Sequence, residues 1–343
     1  LNITSIWHFL KVCHERGILV KSHRPMPWCP RCGTSLSEHE MSGSYKDVRH
    51  TSIYGKLPVK GTDDKIMFWT TTPWTLTSNV ALAVNPELTY VRVKVKSDDS
   101  PLILGKDALK KLGGDVVAVL DEFKGTELVG KEYATVFPNF PKQAFAHRIV
   151  AWEDVDATEG VGIVHIAPGC GAEDFELGKR ENLPQICPID DSGIITEGFG
   201  TLTGVSTSEA LEPVVEIMTK DNTLYKTEVI EHSYPHCWRC KHEVVFKLVD
   251  EWSIATENLK PELIAAANTV KWEPAYAGKR MVDWLNNMGD WNISRKRFYG
   301  LPLPFYPCKK CGHLTVVGSK EELIELSEHK SLEDVPHLHR PYI

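Results

Sequence analysis

No apolar run in this 343-residue chain approaches the roughly 18–20 residues that cross a bilayer. The opening stretch LNITSIWHFLKVCHERG has none of the pattern of a secretory signal, so a soluble, cytoplasmic protein with no membrane partner is expected. Basic charge is short as well: Lys and Arg total 39 against 46 Asp and Glu, for a net charge of −7. With no global positive field, any contact with RNA must come from a local patch. Low-complexity tracts are missing, and 42% hydrophobic with 25% charged residues excludes disorder as the dominant state. There is no G-x-S-x-G elbow, no H-E-x-x-H pair, and no Gly-rich loop followed by G-K-[ST]. The chain therefore offers no signature of a serine hydrolase, a zincin or a P-loop enzyme.

Cysteine is not scarce, and its spacing carries the first positive signal. Six of nine cysteines fall in C-x-x-C pairs: Cys29/Cys32 in WCPRCG, Cys237/Cys240 in HCWRCK and Cys308/Cys311 in PCKKCG. Disulfide frameworks belong to small secreted domains, whereas paired thiolates in a large chain suit a metal. Two such turns complete a tetrahedral structural Zn²⁺ site, and Gly33 and Gly312 suit the positive φ of these knuckles. Cys29, Cys32, Cys237 and Cys240 are expected around one zinc, clipping together the ends of a segment roughly two hundred residues long. Cys308 and Cys311 form a half site, with His313, His337, His339 or residues beyond Ile343 as candidate partners. Cys13, Cys170 and Cys187 are single, and read as small buried hydrophobes rather than nucleophiles.

Along the chain, Ile3, Ile6, Leu10 and Cys13 share one face at helical spacing, and Gly17 stops the run. From Ile53 the character turns to short β-rich segments: DKIMFWTTTPWTL, YVRVKV, DVVAVL and GIVHIAP, punctuated by Gly, Pro, Asn and Asp. In YVRVKV, Val91, Val93 and Val95 alternate with Arg92 and Lys94, as in a strand with one buried face. No dominant helical pattern separates these strands, which argues for a β-barrel-like domain over a doubly wound sheet. Residues 206–219 read as a helix with Leu211, Val215 and Met218 inward. Further helices are expected in PELIAAANTV, KRMVDWLNNM and EELIELSEH, the last with Ser319 and Glu322 as a capping box. The fold class is therefore α+β and mainly β, a β-barrel-like domain inserted between zinc-knuckle and helical flanks. The expected boundaries are 1–50, 51–228 and 229–343.

Two stretches are candidates for chemistry. Threonine is common in strands, so Thr70-Thr71-Thr72-Pro73-Trp74-Thr75 reads first as structure. Yet three hydroxyls stopped by a proline can end a strand and present donors and acceptors to a ligand. In GVGIVHIAPGCGAEDFELG, His165 ends an apolar strand, and Asp174 follows nine residues later across a Gly/Pro-rich turn that can bring both into one pocket. A histidine at a strand end is more often structural than catalytic. From the residues alone the chain is a zinc-clipped β domain with a polar pocket, and no reaction is named.

MPWCPRCGTSLSEHE, WTTTPWTL, GVGIVHIAPGCGAEDF, CWRC, DWNISRKRFYG and the closing HRPYI together resemble the isoleucyl-tRNA synthetase family across nearly the whole chain. TTTPWTL separates it from the valyl and leucyl relatives, which typically carry Arg-Pro there. HIGH-like and KMSKS-like motifs are absent, so the resemblance implies the connective-peptide editing region of a synthetase with its zinc-bearing base. It implies hydrolysis of misacylated Val-tRNA(Ile) by water, without ATP-dependent ligation of isoleucine and without a catalytic metal. Asp174 would bind the substrate's α-ammonium, and Thr70, Thr71 and Thr72 would line the pocket. His165 would gauge the aminoacyl side chain, and Trp74 would support the threonine loop. The implied partners are the valine-bearing 3′ end of tRNA(Ile) and the rest of the synthetase. Trp291, Arg295 and Arg297 belong to the return towards that core. Cys170 stands where relatives often carry histidine, and Tyr299 where tryptophan is usual. The alternatives are an editing region of a valyl-type enzyme, disfavoured by Thr72-Pro73-Trp74, and a non-catalytic zinc-ribbon RNA-binding module. Acidic balance and the lack of aromatic-basic interleaving oppose the module.

Overall fold

The alternation in YVRVKV carries directly into the fold. In the strand Thr89–Val95, Val91, Val93 and Val95 are buried, Arg92 is half-buried and Lys94 is exposed. A computed structural model describes residues 2–296, 300–327 and 337–339, apart from the side chains of residues 38 and 39. Arg297, Tyr299 and the closing residues 340–343 lie outside the described residues. The chain divides into two units, Arg24–Leu248 and the pair of segments Leu1–His23 with Val249–Ile343.

In the first of these units, most of the described strands form one ten-stranded mixed sheet. Its central strand, Lys65–Thr70, buries Ile66, Met67 and Phe68 in succession, so both of its faces are covered. It pairs antiparallel with Tyr45–Pro58 and parallel with both Leu102–Gly105 and Val164–Ile166. The next neighbours are Ala81–Val84 and His147–Ala151, running parallel to each other. This mixed, curled sheet is mainly strand with helices at its margin, which agrees with the α+β, barrel-like expectation.

The β-rich character expected from Ile53 begins earlier, with the strand Tyr45–Pro58. Its polar first half pairs antiparallel with Leu224–Pro235 down to Tyr45–Pro235, and that ladder supplies backbone partners which the side-chain pattern does not reveal. The segment DVVAVL is a strand, Val116–Lys124, but it lies at the sheet edge with Val117, Val119 and Leu120 exposed. The helix expected over 206–219 runs from Leu211 to Lys220 and buries Val214 and Met218 rather than Val215. Ser206 accounts for the late start: its hydroxyl donates to Glu209 Oε2 at 2.6 Å and its carbonyl accepts the Glu209 N–H, closing a turn before the helix.

In the second unit, the helix Asn2–Glu15 buries Trp7, Leu10 and Cys13, and Gly17 follows at φ 70°. Leu10 and Cys13 pack with Leu19, Ile254 and Val316. The helices Lys260–Asn268 and Tyr276–Asn287 follow, then Lys320–Leu326. The last is capped by Ser319, whose Oγ accepts the Glu322 N–H at 3.1 Å. No described helix is long and apolar enough to cross a membrane.

Candidate functional site

Thr70 closes the central strand, and Pro73 opens a short 3-10 turn over Pro73–Ser78. Proline lacks an N–H and disfavours the helical basin for its predecessor, and Thr72 sits at φ −127°, ψ 75°. Hydroxyls tie this turn together. Thr70 Oγ1 accepts the Thr72 N–H at 3.1 Å, and Thr75 Oγ1 donates to the Thr72 carbonyl at 2.7 Å. Thr70 is buried, so its hydroxyl serves the turn. Thr71 and Thr72 are half-buried, with hydroxyls 3.4 Å apart. Together with Pro73 and Trp74 they line a cavity of about 520 Å³, which Ser208, Tyr234, His236, Lys241 and His242 also line. Thr70, His165 and Asp174 are not in that lining.

His165 stands behind the turn. It lies on Val164–Ile166 opposite Leu82, buried, with Nε2 at 3.0 Å from Thr75 Oγ1. Thr75 already donates its one proton to Thr72, so His165 Nε2 carries the hydrogen and donates to Thr75. Its Nδ1 faces the amide nitrogen of Asn79 at 3.5 Å. Burial pushes the imidazole down to about 4, so it is neutral at physiological pH. A neutral, fixed ring can form a wall, and it carries no charge to a substrate.

Asp174 sits in the first turn of the helix Ala172–Arg180. Its Oδ2 accepts the Ala167 N–H at 2.7 Å, which folds the helix start back onto the strand end. Burial pushes this carboxyl up to about 6, with the neighbouring Glu173 adding to the shift. No cationic side chain pairs with it among the described residues. A desolvated carboxyl that lacks a counter-ion suits a cationic ligand group. His165 and Asp174 thus share one strand–turn–helix segment, but their polar atoms take different partners.

Several supporting residues escape a reading of the sequence. Ser78 Oγ lies 3.1 Å from Cys170 Sγ, joining the threonine turn to the Gly/Pro loop. Asn79 accepts from Tyr133 OH at 2.9 Å and donates to the Ala81 carbonyl at 2.9 Å. Gln143 donates to the Thr77 carbonyl at 2.6 Å, and its Oε1 lies 2.8 Å from His147 Nε2. The polar run TLTSN, continuing past Trp74, was the available signal; Tyr133, Gln143 and His147 left none.

In the same unit, Cys29, Cys32, Cys237 and Cys240 bring their sulfurs within 4.8 Å of one another. Cys29–Cys240 is 3.4 Å and Cys32–Cys237 is 4.0 Å. These distances bracket the roughly 3.8 Å edge of a tetrahedron with ~2.3 Å metal–sulfur bonds. Burial works against the Cys240 thiolate, but the His242 N–H and the neighbouring thiols bring it down to about 7. The donor set fits a thiolate-bound ion such as zinc. Cys308 and Cys311 are exposed and gather no third ligand among the described residues.

A family model for tRNA synthetases class I (I, L, M and V) matches residues 2–339. Proteins named isoleucine–tRNA ligase are similar to the chain throughout. The Methanococcus maripaludis protein is 38% identical over 98% of this chain and 34% of its own length. That of Clostridium novyi is 41% identical over 99% and 33%, and that of Pyrococcus horikoshii 40% over 95% and 32%. The chain thus spans about a third of the length of the curated relatives it matches. Among solved structures, the editing domain of the P. falciparum cytosolic leucyl-tRNA synthetase aligns at TM-score 0.42 and 11% identity, over 51% of this chain and 98% of that one. The P. knowlesi domain aligns at 0.40 and 13%, over 53% and 97%.

Proposed function

Because the chain belongs to the class I tRNA synthetases of the isoleucine, leucine, methionine and valine group, we propose that it is the editing region of an isoleucyl-type enzyme, hydrolysing Val-tRNA(Ile). The chemical need is plain. Valine lacks one methylene of isoleucine, worth only ~1–3 kcal/mol in an apolar pocket, a magnitude for which this synthetase family is itself the standard example. A second, smaller site must remove the valyl ester and exclude the isoleucyl one.

The observation that carries this reading is the threonine turn at the cavity, with Thr71 and Thr72 among the residues that line it. In the proposed reaction, water attacks the ester carbonyl. The new C–O bond replaces the ester bond, and the ribose hydroxyl leaves with a proton, releasing valine and tRNA. Thr71 and Thr72 hold the terminal ribose and orient water, with Thr70 fixing their turn. Asp174 and His165 stand outside this lining; in the proposed complex the aminoacyl end reaches past the threonine turn to them, Asp174 taking the α-ammonium and neutral His165 measuring the side chain, while Trp74 backs the loop. Positioning and hydrogen bonding supply the acceleration without a catalytic metal. Zinc on Cys29, Cys32, Cys237 and Cys240 is structural, with Cys308 and Cys311 as half of a second site. The partners are the tRNA 3′ end and the remainder of a cytoplasmic synthetase.

The test is Asp174→Ala assayed on Val-tRNA(Ile). Deacylation should collapse while zinc content stays near wild type and the variant still unfolds cooperatively at or above the temperature needed for the assay. A variant that loses RNA affinity alone, with hydrolysis intact at saturation, would replace this reading with that of a binding module.

A further inference from the structure

The three C-x-x-C turns are built alike except at one position. In each, the residue after the second cysteine enters the left-handed region and donates its N–H to the first cysteine's carbonyl. Gly33 does so at φ 62° and 2.8 Å, Lys241 at φ 62° and 2.9 Å, and Gly312 at φ 75° and 2.9 Å. Glycine takes this conformation freely, whereas a side chain there meets a steric cost. The middle turn accepts that cost for a lysine. Strain of this kind concentrates where a side chain has work to perform.

The surroundings of Lys241 indicate which work. It lines the cavity that holds Thr71 and Thr72, and it is the sole Lys or Arg among the residues lining it. Its Nζ donates to the Trp238 carbonyl at 2.6 Å. An ammonium has three donors, so two remain for a ligand. The nearby acid, Glu243, lies against His50 Nε2 at 3.2 Å rather than against the lysine. His236 turns Nδ1 to the Tyr234 carbonyl at 3.0 Å, which leaves its Nε2 as a further polar atom on this wall.

We propose that Lys241 is a phosphate-binding residue, whose ammonium takes a phosphodiester oxygen of the RNA strand that enters the cavity with its terminal ribose at Thr71 and Thr72. The inference rests on the editing reading for the identity of the strand. The cysteine cluster then has a second consequence: by fixing Cys237 and Cys240 it fixes the backbone that aims this charge.

The 343-residue chain is titrated by fluorescence anisotropy against a labelled RNA hairpin ending in CCA, at several KCl concentrations. Lys241→Gly and Lys241→Gln are expected to weaken binding about tenfold and to reduce the slope of log affinity against log salt by about 0.7. Lys241→Arg should retain both. Lys241→Gly should melt at or above the wild-type temperature, since glycine relieves the backbone, which separates loss of charge from loss of fold. Wild-type affinity and slope in Lys241→Gly would overturn the proposal, as would an Lys241→Arg variant as weak as Lys241→Gln. Deacylation of Val-tRNA by the same preparations keeps the two readings apart. A wild type that hydrolyses nothing but binds through Lys241 sinks the editing reading alone. A hydrolysing wild type whose affinity ignores Lys241 sinks this one alone.

Discussion

His165 Nε2 donates to Thr75 Oγ1 at 3.0 Å, and Thr75 in turn donates to the Thr72 carbonyl at 2.7 Å. The proposed gauge of the side chain and the threonine turn are therefore one hydrogen-bonded piece. Replacing His165 by alanine should open space and loosen the turn together. The expected outcome is that discrimination between Val-tRNA(Ile) and Ile-tRNA(Ile) falls about tenfold, the scale of one methylene's binding. The measurement is kcat/KM for both esters with His165→Ala. An unchanged ratio would remove His165 from the role of gauge.

Asp174 gives a pH signature. Its carboxyl is raised by burial from 3.8 to about 6 in the folded chain, so ionising it opposes folding. That opposition is absent below about pH 3.8 and fully present above about pH 6. A bound ammonium requires the ionised form, so kcat/KM for deacylation should rise as pH passes through about 6. Asp174→Asn should abolish the reaction and yet raise stability at pH 8, by on the order of 2–3 kcal/mol. Urea denaturation of both proteins at pH 8 checks the sign. A destabilised Asp174→Asn would mean that the carboxylate is paired in the fold.

The cysteine cluster predicts a metal content. Elemental analysis should find about one tightly held zinc per chain. Chelation or Cys240→Ser should lower the melting temperature and expose the Trp28–Leu36 region to proteolysis, because Cys29, Leu36, Cys237 and Val244 share one small core. A metal-free protein with unchanged melting would leave the four thiols as packing alone.

How far these features could be read from the sequence depends on their range along the chain. Each C-x-x-C turn is local, so spacing reveals it directly. Joining Cys29 to Cys240 spans 211 residues, and only the need for four ligands suggested the match. The threonine turn was visible because Pro73 constrains its own neighbour. Asn79, Tyr133, Gln143 and His147 come from separate strands and loops, and their network exists only once the sheet has formed. Val116–Lys124 misleads in the other direction: its apolar residues signal a strand, yet its place at the sheet edge leaves them exposed. Val214 rather than Val215 is buried in Leu211–Lys220, because a helical face is set by where the helix packs.

The strand that ends at Thr70 is also pinned at its start, and this yields a stability prediction of opposite sign to that for Asp174. Asp98 Oδ2 accepts from Lys56 Nζ at 2.5 Å and from Lys65 Nζ at 2.8 Å, while its Oδ1 accepts the Ser100 N–H at 2.9 Å. All three charged side chains are largely shielded, at 4% exposure for Asp98, 5% for Lys56 and 12% for Lys65. Burial alone would raise the carboxyl, but the two ammoniums hold it below the usual carboxylate range. Its contribution is therefore present above about pH 3.8 and is lost as pH falls through the lowered folded value. Asp98→Asn would leave two ammoniums facing each other in a shielded site, which costs about 3–5 kcal/mol. For a unit of this size that corresponds to a drop in melting temperature of roughly 10 °C. Replacing Lys56 by methionine in the Asp98→Asn background should recover part of the loss, because one of the two stranded charges is removed. Thermal unfolding at pH 7 distinguishes the cases. An Asp98→Asn protein that melts with the wild type would show that water reaches this cluster and that the strand leading to Thr70 is held by its ladder alone.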